Sequence, residues 1–132
     1  MNKPLPCPSE EEEQIRLFNW AAMRSSVYPE LKDLFHIPNG GLRSKPEAAR
    51  MKAAGVKPGV SDIFLPAPRG QYHGLFIELK RQRGGKASDE QKVFINKMRA
   101  AGYAAEICHG WEKAAECITA YLERQNWKGE TE

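Results

Sequence analysis

A chain of 132 residues with 41% hydrophobic residues and a net charge of +3 is long enough for one domain with a real core and too short for two. It has no apolar run that could span a bilayer, and residues 1–13 lack the apolar centre of a signal peptide, so a cytoplasmic protein away from any membrane is expected. Cys7, Cys108 and Cys117 show no C-x-x-C spacing, which argues against both a disulfide framework and a zinc site.

Residues 1–8 are proline-rich and read as an irregular lead-in. Ser9 then has the character of a helix N-cap, with Glu12 at the third helical position, and the helix is expected to run to about Arg24. Leu17, Phe18 and Ala21 share its apolar face with Gln14, and Trp20 lies at the edge. Glu10 and Glu13 sit one turn apart at the N-terminal end of that face, where either could reach a site at the rim of the core. Glu11 and Glu12 are better explained by the helix dipole.

Residues 34–37 form a short strand candidate that ends at Pro38-Asn39-Gly40-Gly41. Two adjacent glycines allow close backbone approach, which suits either a phosphate or a tight turn that needs no ligand. His36, alone on a strand, reads as structural. Ser44-Lys45-Pro46-Glu47 repeats the capping pattern and opens a short helix ending at Gly55. Lys45, Arg50 and Lys52 make it a candidate DNA-facing element, with Arg43 before it and Lys57 after it. An amphipathic helix with a basic solvent side is the alternative. Bases crowd the middle of the chain more generally, which suits a polyanion, although a merely solvated surface explains charge alone equally well.

Residues 59–80 hold the densest chemistry. Gly59-Val60-Ser61-Asp62-Ile63-Phe64-Leu65 and Gly74-Leu75-Phe76-Ile77-Glu78-Leu79-Lys80 are apolar runs bounded by glycine and proline, the pattern of two short strands joined by a loop. If they pair antiparallel about a centre near Gly70, Asp62 faces Glu78 and Phe64 faces Phe76. Directly opposed residues have Cβ atoms roughly 5 Å apart, and two like charges there repel. A divalent cation such as Mg²⁺, which takes carboxylate and carbonyl oxygens, would make the pair tolerable. Lys80 joins Glu78 on one face by strand parity, while Ile77 and Leu79 point to the packed side.

A basic loop leads to Ser88-Asp89-Glu90-Gln91, a third capping pattern, and to a helix reaching about Ala101 in which Val93, Phe94 and Met98 are expected to pack. Gln91 therefore has a structural job available, accepting the Ser88 N–H, beside any role at a site. Residues 103–108 form another strand, a final helix follows from about Trp111 to Arg124, and residues 125–132 read as a polar, frayed tail. The order of helix, strand, helix, two strands, helix, strand, helix predicts one domain, an α/β sandwich with a central mixed sheet flanked by helices.

Taken together, these residues resemble the virus-type replication-repair nucleases, the VRR-NUC branch of the PD-(D/E)xK superfamily, over nearly the whole chain. The likeness rests on Glu10 to Gln14 with Trp20, Pro38 to Gly41, Gly59 to Ile63, Ile77 to Lys80, and Ser88 to Gln91. Ser61 departs from it, standing where the superfamily has proline. The resemblance implies a restriction-endonuclease-like fold with Asp62 and Glu78 as metal ligands, the backbone carbonyl of Leu79 available to the ion, and Lys80 as catalytic lysine. It further matches Gln91 to a glutamine supporting the site and Glu10 to the first-helix acid, with Glu13 as the alternative. It implies Mg²⁺- or Mn²⁺-dependent cleavage of DNA by a homodimer, from a phage or prophage; the glycines and bases read above make Asn39, Gly40, Gly41, Arg43, Lys45, Arg50 and Lys57 the expected DNA contacts. Trp111 and Trp127 are candidates for the dimer interface. A structure-specific endonuclease on branched DNA, such as a Holliday junction resolvase, is the leading expectation. A flap, nicking or restriction-like nuclease and a non-catalytic DNA-binding module stay open.

Overall fold

In the computed structural model, which describes residues 6–39 and 44–125, each of the serines in a capping pattern opens a helix. These are α1, Glu10–Arg24; α2, Lys45–Ala53; and α3, Asp89–Ala100. The hydroxyls of Ser9, Ser44 and Ser88 accept the N–H groups of Glu12, Glu47 and Gln91 at 3.1, 3.2 and 3.2 Å. At α3 the box is reciprocal, because Gln91 Oε1 also accepts the Ser88 N–H at 2.8 Å. A short 3₁₀ turn, Pro29–Asp33, follows α1, and α4, Trp111–Leu122, closes the described chain.

Four strands, β1 (Phe35–His36), β2 (Ile63–Leu65), β3 (Leu75–Lys80) and β4 (Ala104–His109), form one sheet in the order β1-β2-β3-β4. The β1–β2 and β2–β3 pairs are antiparallel and β3–β4 is parallel, so the sheet is mixed, as expected. A parallel pair cannot be joined by a tight turn, and α3 supplies the crossover. Phe64 lies opposite Phe76 and Ile63 opposite Ile77, the register of a hairpin centred on Gly70.

Parity divides the sheet into two unlike faces. Ile63, Leu65, Leu75, Ile77 and Leu79 are buried with Leu17 and Ala21 of α1 and Ile118 and Tyr121 of α4. Burying such aliphatic side chains contributes roughly 1.5–3 kcal/mol each, so this face carries most of the fold's stability. The other face is aromatic. Phe76 packs against Phe64, Phe94 and Tyr103 with ring centroids 4.4, 5.2 and 5.3 Å away. Asp62, Glu78 and Lys80 share parity with these rings and therefore lie on the α3 side.

Some sequence expectations needed correction. β2 begins at Ile63 rather than near Gly59, because the preceding segment is drawn into other contacts: the Asn39 side chain donates to the Val60 carbonyl at 3.1 Å, and Gly59 lies so close to α3 that a Cβ there would meet the Glu90 carbonyl oxygen at 2.4 Å. Val93 does not pack; it is 52% exposed, and Ile95 occupies the buried position on α3. Helix α2 buries none of its residues and packs against no other described element. Arg69, one of the central bases, is not available to a polyanion. It is buried, donates to the carbonyls of Leu122 and Pro68 at 3.2 and 2.8 Å, and pairs with Glu30.

Arg69 thus ties the hairpin loop to the end of α4 and to the 3₁₀ turn. Arg69→Ala leaves buried carbonyls without a donor, and it should lower unfolding stability by about 2 kcal/mol in urea titrations. Lys52→Ala on exposed α2 should change it by less than about 0.5 kcal/mol.

Candidate metal centre

The site is built where β2 ends and β3 continues. Asp62 lies one residue before β2, and its carbonyl accepts the Ile37 N–H at 2.6 Å. Its backbone therefore faces β1, and by the alternation of an antiparallel ladder the Asp62–Glu78 pair is a non-hydrogen-bonded one, in which opposed side chains come closest. The next rung toward β3 would join Leu79 to residue 61. Instead the Leu79 N–H donates to Asp62 Oδ2 at 2.9 Å. The carboxylate has turned into the gap where the strands part, which fixes its direction. In an extended strand the N–H and C=O of one residue point the same way, so the Leu79 carbonyl faces the same gap.

Glu78 is 1% exposed on the neighbouring strand, close enough to Asp62 for the Asp62 charge to raise the cost of ionising it. Its pKa is pushed up to about 9, first by burial, then by a hydrogen bond to Asp62 and repulsion from it, with Lys80 acting in the opposite direction. Glu10, exposed at the start of α1, adds to the rise, so the first-helix acid reaches the site through its field. Lys80 is also buried, at 7% exposure, with Nζ 3.8 Å from Glu78 Oε2.

The donor set suits a hard divalent cation. Glu78 Oε1 is buried without a hydrogen-bond partner among the described residues, an arrangement that is costly unless something else occupies that lone pair. Asp62 and Glu10 both act against ionisation of Glu78, and only Lys80 favours it, so a cation that offset the acids would let Glu78 carry its charge. Carboxylate and carbonyl oxygens are ligands that Mg²⁺ and Mn²⁺ accept. Among the described residues no three His, Cys, Asp or Glu side chains converge closely enough to hold an ion alone. The donors that could hold an ion here are the two carboxylates and the Leu79 carbonyl, with Glu10 acting on Glu78 through its charge.

Glu13 has different work. It is fully buried, and Oε1 accepts the Trp111 N–H at 3.1 Å. Helix α4 starts after Gly110, which has no side chain to cap it, so an acceptor from α1 satisfies one of its orphan donors. Sequence spacing did not reveal this job; the only hint was a glycine standing where a capping residue is usual. Trp111 itself is half-buried against the core. Gln91 is engaged in the α3 cap described above. Of the expected DNA contacts, Lys45, Arg50 and Lys57 are exposed and Asn39 is half-buried, bound to Val60. Gly40, Gly41, Arg43 and Trp127 lie outside the described residues. His36 donates through Nδ1–H to the Asp62 carbonyl at 2.9 Å, a structural contact.

A carboxyl whose folded pKa lies above its ordinary 4.5 favours folding while protonated and opposes it once ionised. In chelator, Glu78 should therefore stabilise least at high pH: its contribution is complete below about 4.5 and is lost as pH climbs toward about 9. Urea midpoints across that window should fall more steeply for the unsubstituted protein than for Glu78→Gln, in which the group cannot ionise.

Comparison with known proteins agrees with this fold. A solved structure described as a VRR_NUC domain protein is similar to this chain with a TM-score of 0.81 at 29% identity, covering 97% of this chain and 99% of that one. No curated protein sequence matches. The profile of the VRR-NUC domain matches residues 9–112, a span that runs from the cap of α1 into the first turn of α4 and contains Glu10, Asp62, Glu78, Lys80 and Gln91. This chain belongs to the VRR-NUC domain family, a family of nuclease-related domains.

Proposed function

We propose that the protein is a Mg²⁺- or Mn²⁺-dependent endonuclease that hydrolyses phosphodiesters in branched DNA, four-way junctions included. The observation that carries this reading is the meeting of Asp62 and buried Glu78 across the hairpin with the Lys80 ammonium beside them. Structural ion pairs are seldom built from two acids sharing one buried place, whereas phosphoryl-transfer sites require it.

Asp62, Glu78 and the Leu79 carbonyl would hold the cation. Bound there, it supplies positive charge to the phosphodiester and lowers the pKa of water. The chain's own groups do the rest. Asp62 is oriented by the Leu79 N–H, so its carboxylate is held before substrate arrives. Lys80 presents a fixed positive charge where negative charge grows on the phosphate, an interaction that strengthens toward the transition state. Burial of Glu78 and Lys80 keeps water from screening both. Gln91 would act indirectly, by fixing the start of α3 through its bond to the Ser88 N–H.

Helix α2, basic and packed against no other described element, is the proposed backbone-tracking element, assisted by Lys57. Two cuts across a four-way junction need two centres and one domain has one, so the acting form in this reading is a homodimer. We place its action inside a bacterial cell, as a phage or prophage protein.

On a labelled four-way junction with Mg²⁺ or Mn²⁺, Asp62→Asn and Lys80→Ala should each reduce the cleavage rate by about 100-fold or more, with circular dichroism unchanged. Persistent metal-dependent cutting by both variants would remove the basis for the assignment. Linear, flap and splayed duplexes run alongside would show whether the branch matters, and paired symmetric nicks would report two centres acting together.

Reversing charge at Lys45 and Arg50 together should weaken binding to the same extent on unrelated sequences. It should also reduce the slope of log affinity against log salt by about 2, since each lost phosphate contact removes nearly one released counterion. An unaltered slope would show that α2 stays clear of the DNA.

A further inference from the structure

Beside the acid pair, on the same face of the sheet, lies a cleft of about 490 Å³ that the proposed chemistry does not use. Its walls are Pro58, Val60, Val93 and Phe94. Val60 is two residues before Asp62, and the Phe94 ring meets Phe76 edge-on, at 89° and 5.2 Å, two residues before Glu78. Val93, 52% exposed, is a large apolar side chain that the fold leaves facing this opening. The cleft is also firmly built, because Gly59 at φ +86° lies directly against the Glu90 backbone and holds the loop to the first turn of α3.

Polar groups are arranged at its edges. Lys57 and Lys97 belong to the lining, and so do Asp89 and Glu90. Two carboxylates disfavour a phosphate inside. They accept hydrogen bonds and donate none, so they favour an uncharged, flat heterocycle that carries an amino group. The lysines suit phosphates on either side of such a ring.

We propose that this cleft receives a nucleobase of the substrate strand, unstacked and adjacent to the phosphate to be cut. The proposal rests on the nuclease reading above and adds a base subsite to it. Apolar walls and one aromatic ring provide a stacking surface that any base can use. An unpaired cytosine, adenine or guanine can offer Asp89 and Glu90 both hydrogens of an exocyclic amino group, whereas thymine has only its ring N3–H to donate. Removing a base from its stack is least costly where it is already unpaired. At a branch point the stack is interrupted, so a base there is cheaper to extract, and the cleft gives a physical reason for a branched substrate over a continuous duplex.

The test uses the full chain and four-way junctions carrying a single 2-aminopurine, moved stepwise around the branch, in chelator so that nothing is cut. Binding should raise the fluorescence several-fold at one position flanking the cleavage site and little elsewhere. Val93→Trp, at an exposed position that should not disturb folding, should fill the cleft and abolish that rise. The same variant should slow cleavage, and unsubstituted protein should cut more slowly with thymine at the responding position than with cytosine. Uniformly flat fluorescence, or a rise that Val93→Trp retains, overturns the subsite even if cleavage is normal. A position-specific rise lost in Val93→Trp supports it even if no metal ever produces cleavage, an outcome that would sink the nuclease reading alone.

Discussion

Two carboxylates placed opposite each other on adjoining strands are an unfavourable pair, and this structure depends on tolerating one. Glu78 is almost completely removed from water, and Asp62 meets it across the hairpin. Coulomb repulsion at such separations is several times stronger in a protein interior than in water. The pair persists because its partners are fixed by other forces. Ile63 and Ile77, next to the acids in each strand, are fully buried on the opposite face, and a slip of one residue would expose both. The hydrophobic effect thus sets the register, and the register forces the acids together.

The separation of roles by parity explains how one strand can do both jobs. Along β3, Leu75, Ile77 and Leu79 secure the core shared with α1 and α4, while Phe76, Glu78 and Lys80 point toward α3. Phe76 is the transition between them. Its ring packs on Phe64, Phe94 and Tyr103, so the acids stand at the end of an aromatic layer rather than in open solvent. That layer lowers the dielectric around Glu78 and Lys80, which raises the energetic cost of the uncompensated charge and the value of any cation that offsets it.

Much of this was legible from residues alone because it is local. The capping serines at 9, 44 and 88, the hairpin centre at Gly70 and the alternation of β3 all act over a few positions, and each was realised. What escaped was long-range. Arg69 reads as another base in a basic stretch, and only the fold brings it to the Leu122 carbonyl and Glu30. Glu13 shares its helix face with Glu10, and the two cannot be told apart until α4 arrives with a glycine at its start. Val93 and Ile95 are similar in apolarity, and although Phe94 turns inward as expected, Ile95 rather than Val93 takes the buried place beside it. In each case the deciding partner lies far away in sequence, where periodicity carries no information.

Helix α2 shows the same contrast from the other side. Nine residues make a marginal helix in water, and most helices of that length persist by packing an apolar face. This one buries nothing, so its support is local: Ser44 at the cap, Pro46 in the first turn, Glu47 near the positive end of the dipole and Arg50 and Lys52 near the negative end. A helix stabilised that way has no side committed to the core. Its residues answer to solvent and to whatever polyanion approaches, which is why the core pattern of the sequence is silent about its role while its charges are not.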